Sequence, residues 1–302
     1  MMETEEKYYH LFGNGNDAHN FITSESDFKA AFNMVGVCAA NTNVSVLSFS
    51  IEDTHPHMLL FGRKEECVRF KLMYETSLCH HIVRTRGDID NVRLECDLYH
   101  ITDKDYLQNV AVYTIIQPTK DGKGILPSDY LWGTASLYFR KGNVIPIWLI
   151  RSDLTVAAPV TIGSLTERER RKVLACRRQV PDEWLVSNGI LLPSNYIDIR
   201  KFEDIFVTAN AFRVFMGNGN RKCDTISNKM AKVHGISLDD LEARKIAEEV
   251  CYALFEKKSA RHLTPAQRLV FAQNLRRTRQ MTFRQIAIIS RLPESEIRKS
   301  TN

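Results

Sequence analysis

Two apolar, partly β-branched runs, Val44 to Ile51 and His57 to Phe61, stand a few residues apart, and a segment of helical spacing lies on the outer side of each. Two strands so closely joined and so bracketed constrain the chain to a layer in which a sheet is covered by helices. Ser24 to Ala40 places Phe28, Ala31, Phe32 and Val35 on one helical face, with Ser24 and Ser26 as candidate N-caps. Glu65 to Val83 reads as a second helix with Val68, Leu72 and Met73 on its apolar side. Lys7 to Phe12 reads as a first strand turning at Asn14-Gly15-Asn16, and Val92 to Tyr99 as a further strand. Thr102-Asp103-Lys104-Asp105 resembles a capping box opening a third helix, which Pro118 is expected to stop. The expected fold is therefore α+β, an antiparallel sheet with helices of ferredoxin-like type.

At 302 residues the chain has room for two or three domains, and 44% hydrophobic with 25% charged residues describes an ordinary globular protein. The seven cysteines are odd in number and scattered, with no Cys-x-x-Cys pair. That favours a reduced, cytoplasmic setting over a disulfide framework or a zinc ribbon. No apolar run approaches a membrane span, and the acidic start, Met1 to Glu6, is unlike a signal peptide. Net charge is +5 but unevenly spread: residues 257–302 hold eleven Lys and Arg against two Glu. A basic end on a nearly neutral body suits contact with DNA.

Chemistry concentrates in four residues. His55 and His57, two apart on an extended segment, point the same way. Tyr113 and Gln117, four apart, share a helix face. Two imidazoles and an amide oxygen suit Mg²⁺ or Mn²⁺, and a tyrosine beside such an ion suggests a phosphodiester attacked by a phenol. Each piece also has a plain reading. A His-x-His pair arises readily by chance among nine histidines, a lone helical Tyr is usually core, and a residue before proline often ends a helix.

Taken together, the landmarks resemble the single-tyrosine HUH transposases, the REP-associated tyrosine transposases above all. Tyr9-His10-Leu11-Phe12 is similar to the family's first strand, and His55-Pro56-His57 to its paired histidines. Tyr113-Thr114-Ile115-Ile116-Gln117-Pro118 is similar to its catalytic helix, and Tyr130-Leu131-Trp132-Gly133-Thr134 to the motif that follows. Pro56 replaces the central hydrophobic residue, Gln117 the usual Asn, and Thr119-Lys120-Asp121-Gly122 the usual basic stretch. The resemblance implies a domain over 1–140 that cuts single-stranded or hairpin DNA. Tyr113 is then the nucleophile, His55, His57 and Gln117 the metal ligands, and a 5′-phosphotyrosine the intermediate. His10 could assist from the neighbouring strand.

Residues 141–230 are hard to read, apart from a basic helix candidate at Glu167 to Gln179 and a loop at Gly217 to Asn220. Residues 231–302 read as all helix: Ser237 to Phe255 with Leu238, Leu241, Ile246, Val250 and Leu254 apolar, then a helix begun by Thr264-Pro265. Thr282 to Lys299 resembles a helix-turn-helix, with Ala287, Leu292 and Ile297 at packed positions and Arg291 at the turn. Arg276, Arg277, Arg279, Arg284, Arg298 and Lys299 are the candidate DNA contacts. The expected enzyme, monomer or homodimer, competes with a DNA-binding protein that no longer cuts and with a replication-initiator or relaxase nickase.

Overall fold

The computed structural model describes residues 5–13, 22–87, 94–120, 126–140, 158–217, 240–279 and 281–301. It divides into two compact units, Met1–Lys222 and Cys223–Asn302. The turn at Asn14-Gly15-Asn16, the residues Val92 and Leu238, and most of the Gly217 to Asn220 loop lie outside the described residues.

In the first unit β1 (Lys7–Gly13), β2 (Ser45–Ile51), β3 (Pro56–Gly62) and β4 (Cys96–Ile101) form an antiparallel sheet in the order β2-β3-β1-β4. α1 (Glu25–Ala40) lies between β1 and β2, α2 (Lys64–Arg86) between β3 and β4, and α3 (Lys104–Lys120) after β4. Phe12 pairs with His57 and His10 with Leu59, so Tyr8, His10, Phe12, His57, Leu59 and Phe61 share one face. That face lies under α3, where Ser48 and Thr114 hydroxyls meet at 2.6 Å. The other face lies under α1 and α2, with Phe32 edge-on to Phe49 at 5.0 Å. Phe32, Phe49, Phe70 and Tyr74 are fully buried there, each side chain stabilising by roughly 1.5–3 kcal/mol.

Local signals set several boundaries. Ser24 caps α1 in a capping box with Asp27. Asp103, rather than Thr102, opens α3, its carboxylate accepting from the Tyr106 N–H at 3.1 Å. Two expectations fail. α3 does not stop before Pro118 but carries it inside and ends at Lys120. Proline so near a C-terminus removes only one late hydrogen bond. On α2 the apolar side is Cys67, Phe70, Met73, Tyr74, Leu78 and Ile82, whereas Val68 and Leu72 are exposed.

Residues 158–217 form an annex on α1 and on the edge of β2. β5 (Val160–Thr161), β6 (Leu185–Ser187) and β7 (Ile190–Leu191) make a small antiparallel sheet. Buried Asn33 of α1 donates to the carbonyls of Val173 and Gly189 at 2.8 Å and accepts from the Leu191 N–H at 2.9 Å. The basic helix is shorter than expected: α4 (Glu167–Leu174) ends at Ala175. α5 (Ile199–Phe206) and α6 (Ala209–Gly217) follow, with Phe202 stacked on Tyr138 at 3.7 Å.

The second unit packs α7 (Asp240–Phe255), α8 (Pro265–Arg279), α9 (Phe283–Ser290) and α10 (Glu294–Thr301) around Ala243, Ala247, Val250, Phe271, Leu275, Ile286 and Ile297. Val250 is buried as expected, but Leu254 is exposed, because the buried stripe of α7 runs through its alanines. Arg291 adopts φ 59°, the left-handed conformation of the turn between α9 and α10. No helix among the described residues is long and apolar enough to cross a membrane.

Candidate functional site

The sheet face under α3 gathers His10, His55, His57 and Tyr113. The His55 and His57 rings lie 4.7 Å apart, and the Tyr113 ring stands perpendicular to His57 at 5.2 Å. His10 joins them from β1: its ring is 5.6 Å from His57 and 5.8 Å from Tyr113. Its Nε2 faces His57 Nδ1 at 3.4 Å. His10, His57, Tyr113 and Gln117 are all buried, and Gln117 lies one helical turn beyond Tyr113.

Backbone geometry explains the convergence. Pairing Phe12 with His57 puts His10 diagonally across from His57 on the same face. His55 precedes β3 and is held by a 2.6 Å hydrogen bond between its Nδ1 and the Thr54 hydroxyl. Gly13 lets this corner close, because a Cβ there would stand 2.8 Å from His55 Cβ. His10 is thus a stronger member of the site than the sequence suggests. Its signal is present, since alternation from Tyr8 puts His10 on the face of Phe12 once the strand pairing is known.

The neighbouring tyrosines are otherwise engaged. Tyr130 donates its hydroxyl to the Ile51 carbonyl at 2.6 Å. Burial, helped by the nearby Tyr99 and Tyr113, pushes the Tyr106 phenol well above its ordinary range. Gly133 bridges to Ser50, and Trp132 stacks on Phe28 at 5.2 Å, so the Tyr130 to Thr134 segment extends the sheet at β2. Among the described residues no three His, Cys, Asp or Glu side chains are grouped to hold a metal ion by themselves.

In the second unit the basic candidates split. Arg276 and Arg298 each place a guanidinium 4.4 Å from the Phe283 ring centre, and Arg276 also donates to the Met281 carbonyl at 2.9 Å. Burial and the nearby Arg298 lower the Arg276 pKa. Arg298 pairs with Glu294 at 2.6 Å. Arg277, Arg279 and Lys299 are exposed and Arg284 is half-buried.

No family model and no curated protein matches the chain. Among solved structures, it is similar to one described as a REP-associated tyrosine transposase bound to a REP hairpin. The identity is 13% and the TM-score 0.33, over 45% of this chain and 80% of that one. A similarity of that size leaves the chemistry to be argued from the residues themselves.

Proposed function

We propose that the chain is a metal-dependent DNA strand transferase whose nucleophile is Tyr113. The observation that carries this is the meeting of one helical tyrosine with two imidazoles on a sheet face, Tyr113 lying 5.2 Å from His57 and 5.8 Å from His10, with His55 4.7 Å from His57. The strand order β2-β3-β1-β4 with helices after β1 and β3 supports a ferredoxin-like reading of the first unit. The left-handed turn at Arg291 between two eight-residue helices supports a helix-turn-helix at the chain's end.

The donor set fits a divalent cation. Imidazole nitrogens and an amide oxygen make a mixed N/O set of the kind such a cation accepts, with phosphate oxygens and water completing its shell. His57 and His55, with the amide oxygen of Gln117, would hold Mg²⁺ or Mn²⁺, and His10 lies beside them. When bound, the ion supplies charge that polarises a scissile phosphate and favours phenolate over phenol. The residues do the rest. Tyr113 loses its proton and its oxygen bonds to phosphorus while the bond from phosphorus to the 3′-oxygen breaks. That leaves a 5′-phosphotyrosine and a free 3′-hydroxyl. Because the ester is conserved, attack by a 3′-hydroxyl rejoins a strand without ATP. The buried cluster must open for DNA to enter, so substrate binding has to expose His57 and Tyr113.

The direct test is incubation of the full chain with Mn²⁺ and hairpin-bearing single-stranded DNA, followed by denaturing electrophoresis for a covalent adduct. An adduct that maps to Tyr113 supports the reading. DNA binding without any adduct or nick would favour the non-cutting DNA-binding protein.

A further inference from the structure

The turn after α4 is held more firmly than an ordinary surface loop. Ala175 reverses the chain with φ 55°, and helices on either side then grip the next residues. Arg84 of α2 donates from Nη2 to the Ala175 carbonyl at 3.1 Å. Asn41, which caps α1, donates from Nδ2 to the Gln179 carbonyl at 2.9 Å. Between these two anchors Arg177 and Arg178 stand exposed on the rim of a polar cleft of about 360 Å³.

The charges around that cleft are unequally matched. Arg170 pairs with Asp182 at 3.2 Å, and Arg171 with Glu167 at 2.8 Å. Those are the two carboxylates that line the cleft. Among the described residues, Arg177 and Arg178 make no ion pair. Two guanidiniums with forked donors therefore sit on a backbone already fixed in place, so an anion would bind without ordering the loop. Phosphate oxygens suit such forks in a bidentate manner.

We infer that the Ala175–Gln179 turn is a phosphodiester contact, with Arg177 and Arg178 gripping the backbone of a single DNA strand. It lies on the α1 and α2 side of the sheet, away from Tyr113, and so anchors DNA outside the reacting centre. The choice of DNA as the polyanion rests on the proposed function; the phosphate chemistry rests on the turn.

The test measures the full chain binding a fluorescent 20-nucleotide single strand across a KCl series, with adduct formation at Tyr113 followed in parallel. The Arg177→Gln/Arg178→Gln double variant should bind about tenfold more weakly at low salt. Its salt slope should flatten by about 1.4, since each single-strand phosphate contact contributes about 0.7. Arg177→Lys/Arg178→Lys should restore the slope because it restores the charge. Arg171→Gln, which removes an arginine already paired, should change neither quantity. Unchanged affinity and slope in the Gln variant overturn the inference, as does a loss of binding that tracks early melting and is not rescued by lysine. If the slope falls as expected but the wild-type chain never forms an adduct, the contact stands and the transferase reading fails. An adduct with an unmoved slope sinks the contact and leaves the transferase reading in place. A wild-type chain that binds no single-stranded DNA overturns both.

Discussion

Tyr113 and Tyr106 lie on the same helix, yet their surroundings separate them. Tyr113 faces two imidazoles, whereas Tyr106 is buried edge-on to Tyr99 at 5.7 Å. Tyr113→Phe should therefore abolish covalent DNA attachment and leave DNA affinity within about twofold, since only a hydroxyl is lost; labelled-oligonucleotide electrophoresis beside anisotropy titration checks both. A persistent adduct in that variant would move the nucleophile to Tyr106 or Tyr130. A second residue-scale prediction concerns acid stability. Asp27 is buried, which raises its pKa, but hydrogen bonds from Arg86, Ser24 and the Thr23 N–H outweigh burial and hold it below the ordinary range. His81, 3.6 Å from Asp27, is lowered by burial and by Arg84 and Arg86, partly offset by Asp27. Both folded pKa values are depressed, so both groups stabilise the fold above their unfolded pKa values and lose that contribution as pH falls. Melting temperature should decline below about pH 6.5 through His81 and again below about pH 3.9 through Asp27. Asp27→Asn should cost about 2 kcal/mol at neutral pH, less than a fully buried pair because Arg86 is partly exposed, and should remove the lower acid limb. Chemical denaturation at pH 7 and melts from pH 3 to 8 measure these. At this scale the common side of His55 and His57, and that of Tyr113 and Gln117, are legible in the sequence from their spacing, whereas the meeting of the two pairs is implied only by the motif resemblance. His10 is not fully legible, since its place beside His57 depends on a strand register that connects residues 47 positions apart.

At the scale of elements, helix propensity and packing oppose each other at Gly36 in α1. Alanine there would gain about 1 kcal/mol of helix propensity. Its Cβ would, however, stand 2.8 and 2.9 Å from the ring of buried Tyr196. That ring is hemmed in by Trp184 at 5.9 Å and Phe49 at 6.4 Å, so it has nowhere to retreat. Overpacking of this kind costs about 1–3 kcal/mol. Gly36→Ala should thus destabilise the first unit by about 1 kcal/mol, whereas the exposed Leu72→Lys on α2 should leave it within about 0.5 kcal/mol; urea midpoints measured side by side decide this. The strands and first two helices can be read from their periodicity because each is long and faces one core. The outer sheet cannot: β5, β6 and β7 hold two, three and two residues, too few for a period to show. The turn before β7 and β7 itself are held by Asn33, more than 100 residues away in sequence. The apolar side of α2 is easily mistaken because Val68 and Leu72 look like core residues, although the helix turns Phe70 and Tyr74 inward instead.

At the scale of the whole molecule, charge and chemistry occupy different units. Every residue proposed to react precedes Pro118, whereas residues 257–302 hold eleven Lys and Arg against two Glu. The basic residues of the second unit do not all serve one purpose. Arg276 is half-buried against Phe283 and bonded to the Met281 carbonyl, so Arg276→Ala should lower the stability of that unit by about 1–2 kcal/mol through lost packing and an orphaned carbonyl. Arg277 and Arg279 are exposed at the end of α8. Changing both to Gln should leave the melting temperature in place and flatten the salt dependence of duplex binding by up to about 1.8, as for two phosphate contacts. Truncation after Lys222, the boundary between the two compact units, extends the same logic. The shortened chain keeps its own core and every group of the His10, His57 and Tyr113 cluster, so adduct formation on a short strand at saturating concentration should persist. Affinity for long DNA should fall at low salt, where the lost cations count most. A truncated chain that folds, binds DNA as tightly as the full protein and yet forms no adduct would make the basic end part of the reacting centre and overturn this division of labour.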